Sequence, residues 1–124
     1  MGGTDKTSAT ISIDLRRYGI RLHRSALRNL GDPKYIQLLV NPVDGIVAIR
    51  TAERSLSGDQ VHRIIEKRWQ SDSGYEIYSK SFVLKLSDIA GGLDDGYSYR
   101  LQGQTIPAEK IAVFPLRTLQ KVEK

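Results

Sequence analysis

The stretch that decides the fold reads Tyr18-Gly-Ile-Arg-Leu-His-Arg-Ser-Ala-Leu-Arg-Asn-Leu30, then Gly31-Asp-Pro-Lys-Tyr-Ile-Gln-Leu-Leu-Val40 and, after a turn, Gly45-Ile-Val-Ala-Ile-Arg50. Apolar residues alternate where it begins, and two apolar runs separated by turn residues close it. Between them lies a short segment that ends at a Leu-Gly pair, which is typical of a helix stop. The pattern predicts a strand, a short helix, a turn and two further strands.

The same skeleton returns in residues 80–114 when the sequence is shifted by 62 positions. Under this shift Ile20 aligns with Phe82, and Ser25 aligns with Ser87. A single unit of this kind cannot enclose a core, so its repetition predicts one joint fold with pseudo-twofold symmetry. The alternative is that two apolar β-α-β-β patterns align by chance.

We therefore predict an α+β, mainly β fold of two tandem β-α-β-β repeats, at 10–50 and 75–115, in a single domain over 10–117. A linker, 51–74, joins the repeats. In the linker the helical spacing of Val61, Ile64, Ile65 and Trp69 predicts a helix, while a strand through 63–69 is the alternative. The small polar residues 1–9 are predicted to be disordered, and residues 118–124 to form a frayed tail.

Turn and cap signals refine this outline. Ser25 and Ser87 are candidate N-caps, because a serine hydroxyl can accept a hydrogen bond from a free N–H of the first helical turn. We expect the first helix over 26–30, ended by Gly31, and the second to end at Gly91-Gly92. The segment Asn41-Pro-Val-Asp-Gly45 carries the Asp-Gly signal of a hairpin.

Composition excludes several classes of protein. The chain has no cysteine, which rules out disulfides, thiol nucleophiles and thiolate metal sites. Its sequence shows no apolar core of a signal peptide, no apolar run of membrane-span length, no phosphate- or dinucleotide-binding glycine motif and no histidines at metal-ligand spacing. We therefore expect a cytoplasmic protein that is not an enzyme and has no metal, no cofactor and no membrane partner.

Positive charge is concentrated near the beginning of the chain. The net charge is +5, and residues 10–28 hold five arginines against one acidic residue, Asp14. Residues 71–110 instead carry six acidic residues against four basic ones. Because Ile20 and Leu22 face inward in the predicted strand, Arg21 and His23 should share its solvent side. Arginine suits phosphate oxygens and guanine edges, so the segment predicts contacts with DNA. The candidate DNA-binding residues are Arg16, Arg17, Arg21, His23, Arg24 and Arg28.

The first repeat resembles a known family of DNA-binding domains. Its Tyr18-to-Gly31 segment, the Tyr-Ile-Gln-Leu strand, the Asp-Gly turn and Ile46-Val-Ala-Ile-Arg50 are similar to the swapped-hairpin domain of the AbrB, SpoVT and MazE type. Two copies in one chain look like the MraZ arrangement. The resemblance implies a swapped-hairpin barrel in which Gly19 is the hinge glycine, Leu27 and Arg28 belong to the helix, and Leu30-Gly31 is its stop.

Two functions are compatible with these observations. The first is a DNA-binding protein, in particular a transcriptional regulator, that contacts double-stranded DNA through the arginine-rich edge of the first repeat; a homodimer would supply a second edge. The alternative is a protein-interaction module, an antitoxin-like or mobile-element-encoded inhibitor, that uses the same scaffold on a protein partner. The difference in charge between the two repeats favours the alternative. Only the first repeat is basic enough to contact DNA, so the second repeat would need a different partner.

Overall fold

The computed structural model describes residues 7–52, 61–64 and 74–122. In these ranges the chain forms nine strands, two α-helices and two short 3-10 helices, Pro107–Glu109 and Leu116–Thr118. The strands are β1 Thr7–Asp14, β2 Gly19–Leu22, β3 Tyr35–Asn41, β4 Ile46–Ala52, β5 Val61–Arg63, β6 Tyr75–Tyr78, β7 Ser98–Ile106, β8 Ile111–Pro115 and β9 Gln120–Val122. The helices are α1 Arg24–Asn29 and α2 Lys80–Ile89.

The strands form one antiparallel sheet that is nearly closed into a barrel. Its order is β5-β3-β4-β8-β7-β1-β2-β6, and β9 pairs with β7 beside this path. The two ends of the path, β5 and β6, are bridged by the Tyr75 hydroxyl, which donates to the carbonyl oxygen of Arg63 at 3.3 Å. The mainly β, barrel-like architecture predicted from the sequence is therefore confirmed.

The core lies inside the barrel and follows the alternation of the strands. In β1 the buried positions are Ala9, Ile11 and Ile13, and in β2 Ile20 and Leu22 are buried while Arg21 is exposed. Helix α2 adds Phe82, Val83 and Leu86, each at most 2% exposed. Since burying a large apolar side chain stabilises a fold by about 1.5–3 kcal/mol, these inward faces hold the barrel together.

Residues 7–9 and 120–122 lie in strands, although the sequence predicts disorder and fraying there; residues 1–6 and 123–124 lie outside the described residues. β1 begins at Thr7, inside the segment 1–9 that was expected to be disordered, and all eight of its residues pair with β7. β9 lies within the tail that was expected to fray, and it pairs with β7 from Ser98 to Arg100. In both cases the partner strand is distant in sequence, so composition alone gave the wrong expectation.

Both predicted N-caps are wrong. The residue before α1 is His23, whose side chain makes no capping hydrogen bond, and Ser25 is already helical. Helix α2 begins after Ser79, whose hydroxyl accepts from the backbone N–H of Phe82 at 3.3 Å. Ser87 lies near the C-terminus of α2, where its hydroxyl accepts from the N–H of Leu93 at 2.9 Å. The predicted stops are correct, since Gly31, Gly91 and Gly92 all have positive φ.

The prediction of a helix in the linker is wrong for residues 61–63, the part of it that forms regular structure among the described residues. Val61–Arg63 forms strand β5, which pairs with β3 between Val61↔Gln37 and Arg63↔Tyr35. An open position beside β3 offers these residues a ladder of backbone hydrogen bonds, and this tertiary pairing outweighs a helical spacing of apolar residues. Ile65 and Trp69, the rest of the predicted helix, lie outside the described residues.

The alignment at a shift of 62 is wrong at its beginning. Ile20 lies in strand β2, whereas the residue aligned with it, Phe82, lies in helix α2. The strand that precedes α2 is β6, Tyr75–Tyr78.

Neither helix of the described residues is long and apolar enough to cross a membrane.

Candidate nucleic-acid interface

The turn between β1 and β2 holds the first two candidate arginines. The Asp14 side chain accepts from the backbone N–H of Arg16 at 3.0 Å, which fixes the start of the turn. Tyr18 closes the turn with φ of 56°. Arg16 and Arg17 are both exposed at its tip.

Arg17 is engaged by two carboxylates. Its Nη2 atom lies 2.8 Å from Oε2 of Glu76, and its Nε atom lies 3.3 Å from Oδ2 of Asp14. Glu76, with smaller contributions that include Asp14, raises the pKa of Arg17 above its ordinary value. Gly19 leaves room for this arrangement, because a Cβ atom there would come within 2.9 Å of Glu76 Oε2. The charge of Arg17 is thus largely balanced within the protein.

Tyr78 completes this polar group at the end of β6. Its hydroxyl donates to Oε1 of Glu76 at 2.9 Å, and this hydrogen bond is the main reason why the pKa of Tyr78 is raised. Helix α2 adds a cation nearby, since Nζ of Lys80 lies 5.6 Å from the centre of the Tyr18 ring. The position of Lys80 beside this turn does not follow from the sequence, because the contact depends on how α2 packs.

Arg21 and His23 lie on the solvent side of β2, as the alternation predicts. Arg21 is exposed and stands between Ser12 of β1 and Glu76 of β6, its two cross-strand neighbours. His23 follows the strand directly and precedes α1, where it is also exposed.

Arg24 and Arg28 lie on α1 at a spacing of four, which places them on one face of the helix. Both are exposed, whereas Ala26 and Leu27 on the other face are buried. Helix α1 packs near the beginning of β1, since Nδ2 of Asn29 donates to the Thr7 hydroxyl at 3.1 Å.

The candidate residues therefore form a strip along β2 rather than a single corner. Arg16 and Arg17 follow the end of β1, and Arg24 and Arg28 lie near its beginning. The four residues of β2 separate the two groups by roughly 13 Å at the ordinary rise of a strand. We call this surface, formed by Arg16, Arg17, Arg21, His23, Arg24 and Arg28, the arginine strip.

A seventh residue of interest was missed. Arg100 of β7 is exposed and lies directly opposite Ser12 of β1, on the side away from Arg21. Arg21, Ser12 and Arg100 thus lie side by side on three adjacent strands and line a cavity of about 280 Å³. Nothing local in the sequence indicates this neighbourhood, because it is set by the pairing of β1 with a strand some 90 residues away.

Two further observations concern possible metal ligands and the histidine that lies outside the arginine strip. Among residues 7–52, 61–64 and 74–122 no group of three histidine, aspartate or glutamate side chains could hold a metal ion. His62, in β5, is half-buried, and burial lowers its pKa below the usual 6.5.

Comparison with protein families, with curated proteins and with solved structures returned no match to this chain.

Proposed function

We propose that this protein binds double-stranded DNA through the arginine strip and acts as a transcriptional regulator. The observation that carries the proposal is the set of exposed guanidinium groups along β2 and α1. Apart from Arg17, none of the strip arginines has a carboxylate of a described residue within 4.0 Å. Such groups can pair with phosphates without first giving up an internal partner.

The strand order supports a pseudo-twofold, swapped-hairpin-like arrangement of two units, β2–α1–β3–β4 and β6–α2–β7–β8. β1 precedes the first unit but pairs with β7 of the second, and β5 precedes the second unit but pairs with β3 of the first. The strands β2 and β6 pair with each other, as do β4 and β8. Exchange of strands between two like units produces this pattern, which agrees with the resemblance to the AbrB, SpoVT and MazE type.

The salt dependence of duplex binding tests the proposal. Four strip arginines without a carboxylate partner should give a slope of log K against log[salt] of about −3.6, and a loss of roughly 150-fold between 50 and 200 mM salt. Replacing Arg21 and Arg24 by glutamine should reduce the slope to about −1.8. Fluorescence anisotropy with a labelled random duplex measures both quantities.

A matched control uses two cations outside the strip. Lys110→Gln with Arg117→Gln removes the same charge from exposed positions at the two ends of β8. This double variant should keep the wild-type slope. No affinity of the wild type at about 50 mM salt, or equal slopes for the two double variants, would contradict the proposal.

A second candidate function is supported by two carboxylates beside the arginine strip. Asp14 and Glu76 hold Arg17 and add negative charge next to Arg21. A phosphate backbone is repelled by these groups, whereas a protein partner of mixed charge is not. Under this alternative, an antitoxin-like or inhibitory interaction module, the protein purified at low salt should carry no nucleic acid, as measured by its A260/A280 ratio.

A further inference from the structure

One row of side chains crosses the outer face of five adjacent strands. Glu76, Arg21, Ser12, Arg100 and Gln120 are successive cross-strand partners on β6, β2, β1, β7 and β9. Residues directly opposite each other in antiparallel strands place their side chains on the same face. Two arginines therefore flank one serine, and the strand spacing sets their Cα atoms about 10 Å apart.

The three side chains line a common cavity. Its volume is about 280 Å³, and its walls include Ser12, Arg21 and Arg100 together with Ser98. The space is large enough to admit a tetrahedral anion between the two guanidinium groups, and the choice of ligand rests on the charge and hydrogen-bonding groups of its walls.

The charges in the cavity are divided unevenly. Arg17, Asp14 and Glu76 also line it, but both carboxylates are bound to Arg17 at one side. Arg21 and Arg100 have no carboxylate of a described residue within 4.0 Å. The charged residues of the lining sum to a net charge of +1, and the cations without a carboxylate contact are the two arginines that flank Ser12.

We propose that this cavity binds one phosphate group. The guanidinium groups of Arg21 and Arg100 donate to its oxygens from two sides, and the Ser12 hydroxyl donates between them. A guanidinium group is planar and matches two phosphate oxygens at once, and two opposed guanidinium groups fix the position as well as the charge of the ligand. The site shares Arg21 with the arginine strip but does not depend on duplex binding, since a free phosphate needs only these three side chains.

Isothermal titration calorimetry with inorganic phosphate tests the site. The wild type should bind one phosphate per chain at low chloride concentration. Arg21→Gln and Arg100→Gln should each weaken binding by about tenfold or more, because each removes charge-assisted hydrogen bonds. Ser12→Ala removes a single neutral donor and should weaken binding by only about fivefold.

Arg117→Gln is the matched control for charge. Arg117 is exposed and belongs neither to the arginine strip nor to the lining of the cavity, so this variant should bind phosphate like the wild type. Absence of saturable phosphate binding, or equal affinities of Arg100→Gln and Arg117→Gln, would overturn the site. Thermal unfolding checks that each variant is folded, since Arg21 and Arg100 are exposed and Ser12 is partly buried.

Titration of the same variants with duplex DNA distinguishes the source of the phosphate and separates the site from the proposed function. If Arg100→Gln weakens both phosphate and duplex binding, the site holds a backbone phosphate. If it weakens phosphate binding alone, the site holds a small phosphorylated molecule. Phosphate binding without duplex binding supports the site and contradicts the DNA proposal, and duplex binding without phosphate binding does the reverse.

Discussion

The segments β2–α1 and β6–α2 occupy the same place in the order of elements, yet they differ in what they bury. Helix α1 has six residues, no side-chain cap and two buried side chains, Ala26 and Leu27. Helix α2 has ten residues, a serine cap and three buried side chains, Phe82, Val83 and Leu86. Helix α2 therefore contributes more side chains to the core than α1 and has a side-chain cap at its beginning.

The arginines are found on the helix that contributes less to the core. The exposed face of α1 carries Arg24 and Arg28, whereas the cations of α2 are Lys80, which stacks on Tyr18, and Lys85. We propose that α2 mainly stabilises the barrel, whereas β2–α1 presents the surface that is proposed to bind DNA.

The largest effect is expected for the core of α2. Phe82 is 2% exposed, and Phe82→Ala should lower the free energy of unfolding by about 3–5 kcal/mol through lost burial and the cavity that remains. Leu84→Ala, in the same helix but at a position that is 46% exposed, should cost less than about 1 kcal/mol. Urea unfolding of both variants measures the difference. Similar losses in the two would refute the role assigned to α2.

The next effect concerns the charges of the two helices. Arg28→Gln should reduce the salt slope of duplex binding by about 0.9, because one phosphate contact is lost. Lys85→Gln, which removes an exposed cation from α2, should leave the slope unchanged. Anisotropy titrations at several salt concentrations measure both slopes. An equal reduction in both variants would place the DNA on both segments and remove the proposed division.

A smaller effect separates the two helix beginnings. Ser79→Ala removes the hydroxyl that accepts from the N–H of Phe82, and loss of such a cap costs about 1 kcal/mol of stability. Ser25→Ala should be nearly neutral, since Ser25 is exposed and lies within α1 after the uncapped His23. Thermal or urea unfolding measures both. A larger loss for Ser25→Ala would show that the helix beginnings are assigned incorrectly.

Features that depend on neighbours in sequence could be predicted. The alternation of Ile11 and Ile13, the inward side of β2 and the hairpin at residues 41–45 all follow from local pattern and turn chemistry, and all are present. The glycine stops of both helices also follow from local chemistry, because Gly31 and Gly91 adopt positive φ at little cost.

Helix α2 could have been found from its own residues. Ser79 precedes an apolar spacing of Phe82, Val83 and Leu86 that is typical of an amphipathic helix. The alignment of the two copies instead places Phe82 opposite Ile20 of a predicted strand, and the local signal at Phe82 is the correct one.

Non-local pairing accounts for the remaining differences. Val61–Arg63 is a strand because β3 is available beside it, and Arg100 lies near Arg21 because β1 pairs on one side with β2 and on the other with β7. Strand register across such sequence distances is fixed by the packing of whole faces. For this reason the strip arginines could be named from the sequence, whereas the cavity between Arg21 and Arg100 could not.

The smallest effect distinguishes the two histidines. His23 lies between β2 and α1, and His62 lies in β5, the strand that precedes the β6–α2 segment. Burial lowers the pKa of His62 below 6.5, and its Nε2 atom has no hydrogen-bond partner among the described residues. The unfolded chain then binds more protons than the folded chain below about pH 6.5, so this contribution to stability is complete above that pH and is lost as the pH falls. Urea unfolding between about pH 8 and pH 5 should show the decline in the wild type and in His23→Gln, whose histidine is exposed. In His62→Gln the decline should be reduced, and an unchanged decline would mean that other groups cause it.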